Sequence, residues 1–201
     1  MQAFHIPAPP PYYTNTFLLI SDAGHAVIID PAADVQNYEQ ILQEHNAVLT
    51  TLLCTHGHFD HVGSAEALRR KYHAVLYCEA DDLAGDKMYP LSEADHGYAE
   101  GQTVTVDELQ FTAWHTPGHT PGSVVLLCGE YLFCGDPVCG QHRPHRPGGR
   151  QQRRHEREPA QAGKAAHPPG DPGAARPRRV FHLRGGTGQQ LLHPQRPARQ
   201  C

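Results

Sequence analysis

An α/β fold with a strand-rich second part is what the sequence predicts, and three observations carry that expectation. Short apolar runs end on turn residues. Two segments among them repeat apolar side chains at helical spacing, and beyond residue 103 the runs follow one another with no helical pattern between them. Taken in order, Thr16 to Ile20 and His25 to Ile29 are apolar runs joined by Ser21-Asp22-Ala23-Gly24, a hairpin with turn chemistry, and Asp30-Pro31 closes the second strand. Val35 to His45 puts Val35, Tyr38, Ile41 and Leu42 on one helical face, and Val48 to Cys54 reads as a buried strand. A second helix covers Ser64 to Tyr72, with Ala65, Leu68 and Tyr72 facing inward. Ala74 to Cys78, Thr103 to Val106, Leu109 to Trp114, Val124 to Cys128 and Tyr131 to Cys134 are the remaining strands.

The 201 residues are 39% apolar and 19% charged, within the globular range, but these averages conceal a break. Residues 1–136 hold 4 Lys and Arg against 18 Asp and Glu, whereas residues 137–201 hold 13 against 3, so the net charge changes from −14 to +10. The last 65 residues also contain 10 Pro, 9 Gly and 12 Arg, with few β-branched or aromatic side chains. Such a composition buries too little apolar surface to offset chain entropy. Residues 1–136 are therefore expected to be the folded body, and 137–201 an aberrant Arg/Pro/Gly-rich tail that stays disordered.

Several classes are disfavoured. There is no apolar run of membrane-spanning length, and Met1-Gln-Ala-Phe-His has neither a basic n-region nor a signal-type core, so a cytoplasmic protein without a membrane partner is expected. The six cysteines (Cys54, Cys78, Cys128, Cys134, Cys139 and Cys201) show no CxxC, and those in apolar runs read as buried free thiols. An arginine-rich tail could neutralise phosphates, but Phe181 is its only aromatic residue, which argues against a nucleic-acid arm.

The strongest local signal is Thr55-His56-Gly57-His58-Phe59-Asp60-His61, directly after a buried strand. A strand or a helix would scatter four metal-capable side chains over two faces or a full turn, while a loop held by Gly57 lets them converge. Imidazoles with a carboxylate suit a zinc-like ion. A second cluster, His115-Thr116-Pro117-Gly118-His119-Thr120-Pro121-Gly122, again follows a strand, and its Pro-Gly pairs fix a tight loop that presents one imidazole. Cys134-Gly135-Asp136 ends a third strand, and strand ends are where α/β proteins place their sites.

Thr55 to His61, His119 and Gly135-Asp136 together resemble the metallo-β-lactamase superfamily, and Thr116 to Ser123 is similar to its glyoxalase II-like (hydroxyacylglutathione hydrolase-like) branch, over roughly residues 12–136. The resemblance implies an αββα sandwich and a metal-dependent hydrolase of a small-molecule thioester or ester, such as a hydroxyacyl-glutathione. It also implies a first metal on His56, His58 and His119, a second on Asp60 and His61, and Asp136 bridging them. Asp60 would in addition orient the nucleophile as the catalytic residue. Zinc is the implied cofactor, with iron or manganese as alternatives. Asp30 is similar to the family's carboxylate beneath the metal loop, although a plain strand-end turn residue accounts for it equally well. An iron-dependent sulfur dioxygenase of the same superfamily, or a noncatalytic metal-binding remnant, are the other readings.

Members of that family continue past the bridging Asp with Thr-Leu-Phe, a Ser-Ile-Gly-Arg-Thr-Asp-like stretch, and a Pro-Gly-His-Gly turn that supplies the last ligand of the second metal. None of these follows Asp136 here. When each codon's second and third bases are read with the first base of the next, Asp136-Pro137-Val138 permits Thr-Leu-Phe. Gln141 to Arg146 permits Ser-Ile-Gly-Arg-Thr-Asp, and Ala175 to Arg178 permits Pro-Gly-His-Gly. This order in one frame implies a reading-frame shift just after Asp136. Two zinc ions are thus expected for the family and about one for this chain.

Overall fold

Side chains alternate in direction along the strands and so sort into two apolar layers, and these layers define the architecture. The computed structural model describes residues 1–136, 179–181 and 190–191, all within one unit. β1 (Gln2–Pro7), β2 (Asn15–Ile20), β3 (His25–Ile29), β4 (Val48–Leu53), β5 (Val75–Tyr77) and β11 (Gln190–Leu191) make a six-stranded sheet, in the order β11-β1-β2-β3-β4-β5. β1 to β3 pair antiparallel, and β3 to β5 pair parallel. β6 (Thr103–Val106), β7 (Leu109–His115), β8 (Val124–Cys128), β9 (Tyr131–Cys134) and β10 (Arg179–Phe181) form a second sheet in the order β10-β9-β8-β7-β6, with β10 parallel to β9.

Leu19, Val27, Ile29 and Leu53 of the first sheet pack on Phe111, Ala113, Leu126 and Phe133 of the second. The opposite face of the first sheet, with Leu18, Ile28 and Leu52, is covered by α1 (Val35–Glu44) through Tyr38, Ile41 and Leu42, and by α3 (Ala65–Tyr72) through Leu68. Strands β2, β3 and β4 are thus buried on both faces, which is why they read as near-continuous apolar runs. Tyr38, 0% exposed, fastens α1 to its surroundings: its hydroxyl accepts from Ala33 N at 2.8 Å and donates to Thr16 Oγ1 at 3.1 Å.

Several elements depart from the expectations. β1 had no counterpart in the sequence reading, although Phe4 and Ile6 alternate with polar positions, because the proline run after Ile6 reads as a loop. Part of the metal motif is helical, with α2 (Phe59–Val62) carrying Asp60 and His61. Within the stretch expected to be a disordered tail, β10 and β11 pair with β9 and β1, and the rest of 137–201 lies outside the described residues. The expected helical layer on the outer face of the second sheet also falls outside them. Cys54, Cys78 and Cys128 are buried free thiols and Cys134 is half-buried, while Cys139 and Cys201 lie outside the described residues. Among the described residues, no helix is long and apolar enough to cross a membrane.

Candidate metal centre

Past β4 the chain is tied to both sheets at Thr55. The Asp30 carboxylate, at the end of β3, accepts from Thr55 N and from Thr55 Oγ1, both at 2.7 Å, and Val124 N of β8 donates to the Thr55 carbonyl at 2.8 Å. His56 and His58 follow from this anchored loop, and α2 presents Asp60 and His61. Asp60 and His61 therefore do not lie in a loop as the motif suggested. One helical turn still places them beside the two loop histidines, because His58 caps that turn.

The structure brings all six sequence-predicted residues together. His119 Nε2 lies 2.9 Å from His58 Nδ1 and 3.6 Å from Asp136 Oδ2. His61 Nε2 is 3.7 Å from Asp136 Oδ1 and 3.9 Å from Asp60 Oδ2. Two ligand-type groups result, His56-His58-His119 and His56-His61-Asp136, each with its donor atoms within 4.8 Å of one another. Asp60 flanks the second group, its Oδ2 accepting from Thr14 Oγ1 at 3.3 Å.

Three of the four imidazoles are held from behind. His56 Nδ1 is 3.2 Å from Thr55 Oγ1, His61 Nδ1 is 3.0 Å from Asp30 Oδ2, and His58 Nε2 is 3.2 Å from the Tyr89 hydroxyl. Such outer contacts fix which nitrogen faces the centre. His56, 1% exposed, turns its Nε2 inward, and among the described residues this is the one buried side-chain nitrogen or oxygen without a hydrogen-bond partner. An unsatisfied buried imidazole nitrogen beside two further imidazoles and a carboxylate fits a zinc-like divalent ion. Asp30 itself is 2% exposed with φ at 50°, a strained left-handed conformation for a residue other than glycine. The three hydrogen bonds of its carboxylate, to Thr55 N, Thr55 Oγ1 and His61 Nδ1, make it more than a strand-end turn.

Electrostatics sharpen the asymmetry. Burial, then the neighbouring His61, His119 and His58, lower the His56 pKa to about 2. Burial and His119 also lower His58. Burial opposes charge on His61 too, but contacts with Asp136 and Asp30 outweigh it and hold that ring at about 10. Asp136, facing His61, is held down at about 2.

Several residues of the site were not found from sequence. Asp82, at the end of a 3-10 helix (Ala80–Asp82), reaches both histidine loops, and nothing in Glu79-Ala-Asp-Asp signals this. Tyr89 sits in a loop with no pattern of its own. Gly135 is required by close approach, since a Cβ there would lie 2.3 Å from Thr55 Oγ1. The same holds for Gly57, read from sequence only as a loop residue: its Cβ would meet the Asp82 carbonyl oxygen at 2.2 Å.

The family model of the Metallo-beta-lactamase superfamily matches residues 9–181. The chain belongs to this superfamily. Its match runs past the stretch of 12–136 that carries the motifs. Among curated relatives of this metal-dependent hydrolase family, the hydroxyacylglutathione hydrolase of Aliivibrio fischeri (strain MJ11) is 31% identical over 137 residues, covering 66% of this chain and 52% of that protein. The hydroxyacylglutathione hydrolase of Serratia proteamaculans (strain 568) is 31% identical over 145 residues, covering 70% and 54%. The chain thus spans about half the length of these relatives. Of solved metallo-beta-lactamase folds, ETHE1 from Myxococcus xanthus superposes with a TM-score of 0.56 at 29% identity, covering 64% of this chain and 54% of that one. The B3 metallo-beta-lactamase BLEG-1 gives 0.55 at 29%, covering 64% and 69%.

Proposed function

We propose that the chain is a metal-dependent hydrolase of a small-molecule thioester, of the hydroxyacyl-glutathione kind. The observation that carries this reading is the unpartnered, buried His56 Nε2, set among His58 Nδ1, His119 Nε2 and Asp136. The two hydroxyacylglutathione hydrolases above support the substrate class. His56, His58 and His119 would hold a first ion, and Asp60, His61 and Asp136 would be available to a second. Zinc there would supply Lewis acidity toward a carbonyl and a water-derived nucleophile near neutral pH.

The residues do the rest. Asp60 Oδ2, directed by the Thr14 hydroxyl, is the acceptor that orients the nucleophile and takes its proton. Asp30 fixes the His61 ring, and Tyr89 fixes that of His58. A thiolate leaves without needing a general acid, so no further protonating group is called for. Iron in the same ligands would suit the iron-dependent sulfur dioxygenase reading.

The deciding measurement is metal analysis of protein purified without added ions, with thioester hydrolysis and oxygen uptake followed on one sample. Hydrolysis that disappears together with metal in His58→Ala supports the proposal. Oxygen uptake without hydrolysis selects the dioxygenase, and bound metal with neither activity selects a noncatalytic remnant.

A further inference from the structure

We infer that Asp82 is a positioning residue that sets the spacing of the two histidine loops before any ion arrives, an inference that rests on the metal-site reading above. Asp82 is 0% exposed, and among the described residues no cation pairs with it. A carboxylate withdrawn from water needs its oxygens satisfied. Three donors do this: Gly57 N at 3.0 Å and Thr120 Oγ1 at 2.7 Å on Oδ2, and Gly122 N at 3.1 Å on Oδ1.

All three donors belong to the metal loops. Gly57 lies between His56 and His58, and Thr120 follows His119. One carboxylate therefore ties the loop after β4, in the first sheet, to the loop after β7, in the second. The fit is steric as well as polar. A Cβ on Gly57 would meet the Asp82 carbonyl oxygen at 2.2 Å, and one on Gly122 would meet Asp82 Cγ at 2.8 Å and Glu79 Cβ at 2.6 Å. Both glycines are thus read as spacers that let the loops close on Asp82, beyond the turn chemistry of Pro121-Gly122. The Thr120 hydroxyl is itself oriented, lying 2.7 Å from Ser123 Oγ, which accepts from Thr120 N at 3.1 Å.

Because both Asp82 oxygens accept hydrogen bonds from the loops, asparagine cannot replace it: one side would turn an NH2 toward an N–H or O–H donor. Asp82 touches neither the reacting atoms nor the metal position. Its effect is transmitted through the 2.9 Å separation of His58 Nδ1 and His119 Nε2. Outer contacts of this kind are typically worth about 10- to 100-fold in metal affinity.

The test uses the full chain, with zinc affinity measured by chelator competition, the visible spectrum of the cobalt-loaded protein, and the unfolding midpoint of the metal-free protein. Asp82→Asn and Gly122→Ala are each expected to weaken zinc binding by about 10- to 100-fold and to alter the cobalt bands. Asp81→Asn, an exposed neighbour, should change neither. A folded Asp82→Asn with wild-type affinity and spectrum overturns the inference, as does a lowered unfolding midpoint with both metal readouts unchanged. If Asp82→Asn does not fold, Thr120→Val and Thr120→Ser decide: affinity lost in the first and kept in the second supports the tie, and equal affinities overturn it. A wild-type chain that binds neither zinc nor cobalt defeats the metal reading itself, a result distinct from equal binding by wild type and Asp82→Asn.

Discussion

His56 keeps a neutral ring in the folded chain down to about pH 2, whereas an unfolded chain protonates it near 6.5. Its contribution to the stability of the metal-free protein is therefore complete above 6.5 and is lost as pH falls from there toward 2. His61 runs the other way: held at about 10, it contributes fully below 6.5, and that contribution disappears as pH rises through 10. His56→Gln should accordingly flatten the acid-side decline in urea midpoint of the metal-free protein between pH 6.5 and about 5. A decline as steep as the wild type's would refute the assignment. Zinc loading of the wild type should saturate near one ion per chain, since the Pro-Gly-His-Gly turn that the resemblance implies for the second position does not follow Asp136. Two tightly held ions would point to a tail histidine, first of all His182. At this scale the sequence was legible wherever chemistry was concentrated, as in the six positions from His56 to His61. Asp82 was not, because a lone carboxylate takes its meaning from donors 25 and 38 to 40 residues away.

α1 is held by Tyr38, and Tyr38→Phe should cost about 1–3 kcal/mol in urea unfolding, because Ala33 N loses its acceptor in a buried place. A change within error would mean that Ala33 N finds another partner. The β9 turn is equally constrained: Gly135→Ala forces a Cβ against Thr55 and should destabilise by about 1–3 kcal/mol while loosening zinc, as seen by chelator competition. Unchanged zinc affinity in a folded Gly135→Ala would show that the turn can yield without moving the metal loop. The strands from β2 to β4 and the helices α1 and α3 were readable from period and punctuation, because their burial follows the repeat. β1 was hidden by prolines. α2 was hidden because a single helical turn is too short to display a period.

The outer face of the second sheet carries Trp114, 45% exposed, and the cross-strand register puts Val125, Leu127 and Leu132 on that face with it. If the reading frame shifted after Asp136, the covering helix expected for an αββα sandwich has been replaced in the sequence. Trp114 is the chain's single tryptophan. Restoring the frame should shift its fluorescence emission to the blue and raise thioester turnover, and a repaired chain with unchanged emission would count against the shift. The body's net charge of −14 should also make its association with anionic substrates faster at higher ionic strength, a dependence readable in kcat/KM. The metal site has a mechanical meaning at this scale too. His58 and His119 stand 61 positions apart in the chain and follow strands of different sheets. An ion shared by them works as a removable rivet: held by the folded chain and released by the unfolded one, it adds its binding free energy to the stability of the whole body. Stripping the metal should then lower resistance to unfolding across both sheets together, well beyond the few residues that touch the ion.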